Sequence, residues 1–183
     1  MKLNLPNILA ALRVLIAPIM FWLLIDRNNP IFEGIHHSWI DYAAAVLFVL
    51  AATTDFFDGF IARAWNQKTT LGGILDPLAD KMLTLAAFLG LMLLSRASPW
   101  IIYLILIREF FITGLRVAAA SEGKEVIASM SGKVKTVFQM IAVGFLIMDW
   151  RPLGDILLWI ALILTLYSGF EYILNYTKGT KKC

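Results

Sequence analysis

The sequence predicts an all-α, polytopic membrane protein with six transmembrane helices. Two observations carry that prediction. Of the 183 residues, 60% are hydrophobic and only 16% are charged, where soluble domains run nearer half apolar and a quarter charged. A soluble chain this short could not hide that much apolar surface from water. The apolar residues also fall into six stretches of about 20, the length that crosses a bilayer as a helix. Six such helices leave no room for a second domain, so residues 1–183 are expected to form one.

The expected spans are Leu5–Ile25, Ile40–Ala62, Ile74–Leu94, Trp100–Ala119, Val134–Trp150 and Leu153–Leu174. The first could pass for a signal peptide, but Arg13 interrupts it, Pro18 and Trp22 follow, and no small-x-small cleavage site comes after. It is expected to stay as an uncleaved first helix. The breaks between spans carry turn and interface residues: Arg27-Asn28-Asn29-Pro30, Asn66-Gln67-Lys68, Ser98-Pro99, Ser121-Glu122-Gly123 and Arg151-Pro152. Trp22, Trp39, Trp65, Trp100, Trp150 and Trp159 fall mostly near span ends, where indoles anchor at headgroup depth. His36 and His37 fall in a loop and are expected to be exposed. The one cysteine, Cys183, excludes an internal disulfide.

Basic residues in the short loops set the orientation. One side receives Lys2, Arg13, Arg63, Lys68, Arg116, Lys124, Lys133, Lys135, Lys178, Lys181 and Lys182; the other receives Arg27, Arg96 and Arg151. That asymmetry predicts that both termini face the cytoplasm.

Charge inside apolar spans is costly and marks function. Asp55, Asp58, Asp76, Asp80 and Lys81 gather near the cytoplasmic ends of two consecutive spans, with Arg108 and Glu109 in the next. At about 100° per residue, Asp55 and Asp58 lie about 60° apart on a helix and Asp76 and Asp80 about 40° apart. Each pair projects from one helix face, and a short connection lets the pairs converge. Four carboxylates meeting in a low-dielectric site repel unless a cation neutralises them. Hard oxygen ligands suit Mg²⁺ or Mn²⁺, and four can hold two ions. Divalent ions with open positions bind diphosphates and stabilise charge as a P–O bond breaks. Gly59 and Ala62 share a face with the first pair and strip it of bulk, and Arg63 just beyond is a fixed cation suited to phosphate. Gly72 and Gly73 would let the chain reverse before the second pair. Pro77 is expected in a first helical turn or at a kink that aims Asp76 inward.

The run Asp55-x2-Asp58-Gly59-x2-Ala62-Arg63-x8-Gly72-x3-Asp76-x3-Asp80 resembles, position for position, the signature of the CDP-alcohol phosphotransferases. The resemblance implies a six-helix fold, usually a homodimer, around a polar cavity open to the cytoplasm of the bacterial inner membrane. It implies that Asp55, Asp58 and Asp76 bind metal, and that Asp80 can contact the second ion and act as general base. Gly59, Ala62, Arg63, Thr69 and Gly72 would then contact the CDP-diacylglycerol donor.

The signature leaves the acceptor open. A phosphorylated alcohol calls for cations, and Arg108 and Arg116 lie about 12 Å apart along one helix. Arg116, Lys133 and Lys135 flank the next cytoplasmic loop; two apart, the lysines would not share a helix face. For any of these a topological charge or headgroup contact is the plainer role, and for Arg108 a structural pair with Glu109. The strings Leu75–Lys81, Ile107–Arg116 and Ser131–Thr136, with Pro6-Asn7-Ile-Leu-x-x-Leu-Arg13, are similar to the branch whose acceptor is glycerol 3-phosphate, over essentially the whole length. Ala10 stands where relatives often have Thr. Asn7 and Arg13 could shape the nucleotide end of the cavity or serve the helix start and interface. The expected partners are thus CDP-diacylglycerol, glycerol 3-phosphate, membrane phospholipid and a second copy of the chain, without nucleic acid.

Other readings fit less well. A phosphatidylglycerol or inositol-phosphate acceptor within the family is the nearest. Intramembrane prenyltransferases also use paired aspartates but need more helices and two separated aspartate-rich motifs. A cation transporter would place carboxylates near the midplane and away from arginines.

Overall fold

The structure of the chain is a computed structural model. It describes the backbone of residues 5–64, 70–121 and 130–179 and the side chains of residues 8–54, 78–119, 121 and 130–177. The described residues are helical apart from short connections: α1 Leu5–Ile25, a single 3₁₀ turn Pro30–Phe32, α2 His37–Ala64, α3 Thr70–Leu93, α4 Pro99–Ser121, α5 Met130–Ile147 and α6 Arg151–Gly179. All six expected spans are helices, with boundaries moved by a few residues.

Among the described residues three helices are long and apolar enough to cross a membrane, over Ile8–Ile25, Met130–Ile147 and Arg151–Thr177. At 1.5 Å per residue, the 21 residues of α1 extend about 31 Å, the thickness of a hydrocarbon core. Large apolar side chains such as Leu15, Trp39, Trp100, Ile163 and Phe170 are exposed, as lipid-facing positions require. The chain is an integral membrane protein.

One expectation is corrected. Gly72 and Gly73 lie inside α3, so the chain does not reverse at them. A helical glycine costs only about 1 kcal/mol relative to alanine, which tertiary packing overrides. Pro77 lies within α3 rather than in its first turn, which leaves the kink of the two expected placements.

The chain divides into two compact units. The first comprises Met1–Arg96 and Gly144–Trp150. Its α1 buries Ala10, Arg13, Ala17, Met20 and Leu24, a stripe at alternating spacings of three and four that keeps one face toward its neighbours. Those neighbours are α3 and α2, whose buried stripes are Ala79, Leu83, Ala87 and Leu91, and Ala44, Ala45, Phe48 and Ala51. Lipid is as apolar as leucine, so close packing of small residues, rather than water exclusion, holds such helices together. Gly90 illustrates it: an added Cβ would sit 2.7 Å from Leu24 Cδ1. Arg13 is fully buried within the unit.

One end of this unit is closed by ions. Asp41, at the start of α2, accepts from Arg27 through Oδ1 and from Arg96 Nη2 through Oδ2 at 2.6 Å. Arg96 also donates to the Ile147 carbonyl at 2.6 Å and pairs with Asp149 at 3.2 Å. Burial lowers the Arg27 guanidinium below its ordinary pKa, and the Asp41 carboxylate opposes that shift; an arginine remains charged throughout. Both α3 and α5 end in Schellman caps. Ser95 (φ 53°) and Asp149 (φ 61°) take the left-handed position, and Arg96 N and Trp150 N reach back to the Leu91 and Phe145 carbonyls. These caps present Arg96 and Asp149 to the cluster.

The second unit comprises Ala97–Val143 and Arg151–Cys183. Its α4 and α6 pack together through Ile101, Ile102, Ile105 and Ile112 on one and Leu158, Ala161, Leu162 and Thr165 on the other. Arg108 lies against Gly169 and Arg116 over Tyr172. Residue numbers rise together along this seam, so the two helices run parallel. Pro99 and Pro152 stand in the first turns of α4 and α6, where a missing N–H costs nothing.

Candidate active site

Asp55 and Asp58 lie in the later turns of α2, and Asp76 and Asp80 in α3. The helical backbone there preserves the spacings of one turn within each pair, and the two helices are in contact within the first unit. Asp80 is half-buried and engaged by neighbouring groups. The side chains of Asp55, Asp58, Asp76, Gly59, Ala62, Arg63 and Gly72 lie outside the described part, as does Thr69 altogether. Among the described residues no group of three or more His, Cys, Asp or Glu could hold a metal, and of the expected set those residues include only Asp80. The donor set itself, four hard carboxylates at one-turn spacing on two contacting helices, fits Mg²⁺ or Mn²⁺.

The cations expected to hold an acceptor are Arg108, Arg116, Lys133 and Lys135, all in the second unit. Arg108 Nη2 donates to Ser168 Oγ at 2.8 Å, and its contact with Glu109 is only 3.5 Å. The Arg–Glu pair is therefore its weaker attachment. Glu109 instead takes the ammonium of Lys135 from α5, and Lys135 is buried while Lys133 is exposed. The two lysines do point apart, as their spacing requires. Arg116 is exposed, with its guanidinium carbon 5.5 Å from the ring centroid of Tyr172. Ser131 Oγ at the start of α5 donates to Glu171 on α6.

Three cations (Arg108, Arg116, Lys135) and two carboxylates (Glu109, Glu171) thus share this unit, with Lys133 exposed beside them. The balance is positive, which suits an anionic ligand. Among the described residues several polar atoms there remain unsatisfied: Arg108 Nε, Thr165 Oγ1 and Tyr172 OH are buried without a hydrogen-bond partner. Each such group costs about 1–3 kcal/mol relative to a satisfied one. Native structures leave few of them, and they concentrate where a ligand or water is received.

Thr165, Ser168, Glu171 and Tyr172 were not among the residues singled out from the sequence. A signal was present: Thr165, Ser168 and Tyr172 recur at the i, i+3, i+7 spacing that puts them on one helix face. Within so apolar a span, one hydroxyl per turn does not stand out. Asp41 was missed for a different reason, since its partners are 14 and 55 residues away.

These features define a class: an all-helical integral membrane protein that keeps paired carboxylates on two helices and a net-cationic polar cluster on three others. The chain belongs to the CDP-alcohol phosphatidyltransferase family, which it matches over residues 3–167. It is 37% identical to the CDP-diacylglycerol–glycerol-3-phosphate 3-phosphatidyltransferase of Bacillus subtilis (strain 168), covering 92% of this chain and 93% of that one. It is 38% identical to the proteins of the same name from Escherichia coli (strain K12) and Shigella flexneri (serotype 5b), covering 94% of each chain in both cases.

Proposed function

We propose that this chain transfers the phosphatidyl group of CDP-diacylglycerol to sn-glycerol 3-phosphate, giving phosphatidylglycerophosphate and CMP. What carries this reading is the eight-residue signature from Asp55 to Asp80, in a chain similar from end to end to relatives named for that reaction. In the same proposal all six helices span the bacterial inner membrane as one domain, with both termini and a polar cavity facing the cytoplasm, and the chain acts as a homodimer.

The 1-hydroxyl of the acceptor attacks the β-phosphorus of the donor; its new O–P bond forms as the P–O bond to CMP breaks. A free alcohol is a poor nucleophile, and a positioned base contributes roughly 10²–10⁴-fold. Asp80, one turn beyond Asp76, takes the hydroxyl proton. Asp55, Asp58, Asp76 and Asp80 would hold two Mg²⁺ or Mn²⁺ ions, which when bound neutralise the diphosphate and the charge that develops on it. Gly59, Ala62 and Gly72 give the nucleotide room, and Arg63 and Thr69 meet its phosphates. Arg108, Arg116, Lys133 and Lys135 hold the acceptor's phosphate and so fix which hydroxyl attacks.

The test is CMP release from CDP-diacylglycerol by purified protein, with a panel of acceptors, with and without Mg²⁺. Release that needs both glycerol 3-phosphate and the metal is expected. Release driven as well by phosphatidylglycerol as by glycerol 3-phosphate would overturn the acceptor assignment.

A further inference from the structure

The α6 face opposite Arg108 and Arg116 is built for more than helix packing. Thr165, Ser168 and Tyr172 recur on one side of α6, and all three side chains are buried. Between them Gly169 makes room: an added Cβ would lie 3.0 Å from Arg108 Nε and 3.1 Å from its Cγ, and the arginine would have to shift by a few tenths of an ångström. The glycine lets the arginine lie flat on α6 and reach Ser168. Even so, Arg108 Nε, Thr165 Oγ1 and Tyr172 OH have no hydrogen-bond partner among the described residues. Serine and threonine are ordinary at a membrane helix interface, but a buried tyrosine hydroxyl and an arginine Nε without a partner are costly there. Arg116, the exposed member, lies over the ring of the buried Tyr172, so the guanidinium and the phenol belong to one place in the unit.

We infer that Tyr172 is an acceptor-binding residue, its ring seating the Arg116 guanidinium and its hydroxyl donating to a phosphate oxygen of the acceptor. This rests on the acceptor assignment above. The ring restricts a flexible cation to one place through its negative face. The hydroxyl adds a directed donor to an anion, an interaction stronger than one between neutral groups. Together they discriminate a phosphorylated acceptor from a neutral alcohol of the same size.

Tyr172→Phe keeps the ring and removes only the hydroxyl; Tyr172→Leu removes both. In steady-state CMP release, Tyr172→Phe is expected to raise KM for glycerol 3-phosphate about tenfold, the effect of losing one hydrogen bond to a charged group. Its kcat and its KM for CDP-diacylglycerol should stay within twofold of the parent. Tyr172→Leu should raise the acceptor KM further, by freeing Arg116 as well. An acceptor KM for Tyr172→Phe within twofold of the parent overturns the inference, and so does an equal rise in the KM of both substrates. If the parent protein itself fails to use glycerol 3-phosphate, it is the acceptor assignment that falls, a result read before any variant is made.

Discussion

Replacing Asp41 with asparagine tests whether the ion cluster that closes the first unit holds it together. The change conserves shape and removes one charge. Asp41 is 6% exposed, and the two arginines that share it are 13% and 8% exposed. After the change Arg27 keeps the Leu24 carbonyl, and Arg96 keeps the Ile147 carbonyl and Asp149. Removing one partner of a buried ion pair costs about 3–5 kcal/mol. Because Arg96 retains a second carboxylate, the lower end, about 3 kcal/mol, applies here. For a chain of this length each kcal/mol moves Tm by about 2–4 °C, so a fall of about 6–12 °C is expected. The assay is a thermal scan of detergent-purified protein. Asp55 lies 14 residues further along α2, about 21 Å along its axis. Turnover below the melting range should therefore be unchanged. Adding Arg27→Gln should recover part of the loss by removing the stranded charge. A Tm within about 2 °C of the parent would refute the reasoning, since it would mean the cluster contributes less than a kcal/mol.

Three further outcomes follow from the same residues. Asp76→Asn should lower CMP release by several orders of magnitude while the thermal scan stays near that of the parent; near-normal turnover in Mg²⁺ would remove Asp76 from the metal site. Gly90→Ala should destabilise the protein by about 1–3 kcal/mol through overpacking against Leu24, and by less in a Leu24→Ala background, where the 2.7 Å contact with Cδ1 is gone and only the 3.2 Å contact with Cβ remains. Additive Tm changes in that cycle would show that the two residues do not share the contact. Reporter fusions after residue 183 should read cytoplasmic, and an external reading would overturn the proposed orientation.

The helices were legible because lipid imposes a simple rule, an apolar run of about bilayer length, and each of the six stretches read that way is a helix, three of them long and apolar enough among the described residues to cross a membrane. The aspartate spacing was legible for a related reason: in so apolar a chain, four carboxylates within 26 positions stand out. Pairing was not legible. Arg27 and Arg96 read as loop charges, and nothing local tells that both fold onto Asp41. Lys135 and Lys133 could be told apart in direction by helical spacing, but not which one would be buried. Gly72 and Gly73 suggested a turn because glycine permits one, although nothing in glycine prevents a helix when packing favours it. The hydroxyls of α6 were hidden by their neighbours, since a single Thr, Ser or Tyr per turn hardly changes the hydrophobic pattern of the span.

The cluster around Asp41 has a consequence for how the chain enters the membrane. Arg27 and Arg96 are matched by Asp41 and Asp149, so the four groups sum to zero. In the proposed orientation all four cross to the outer side during insertion, against a potential that is negative inside. Each elementary charge carried across costs or gains about 2.3 kcal/mol per 100 mV. Two arginines alone would oppose translocation by about 5 kcal/mol per 100 mV, whereas the matched set crosses with no net electrical work. Asp41→Asn would remove one negative charge from the set that crosses, so its effect on the yield of inserted protein should grow with the membrane potential, independently of its effect on the folded molecule.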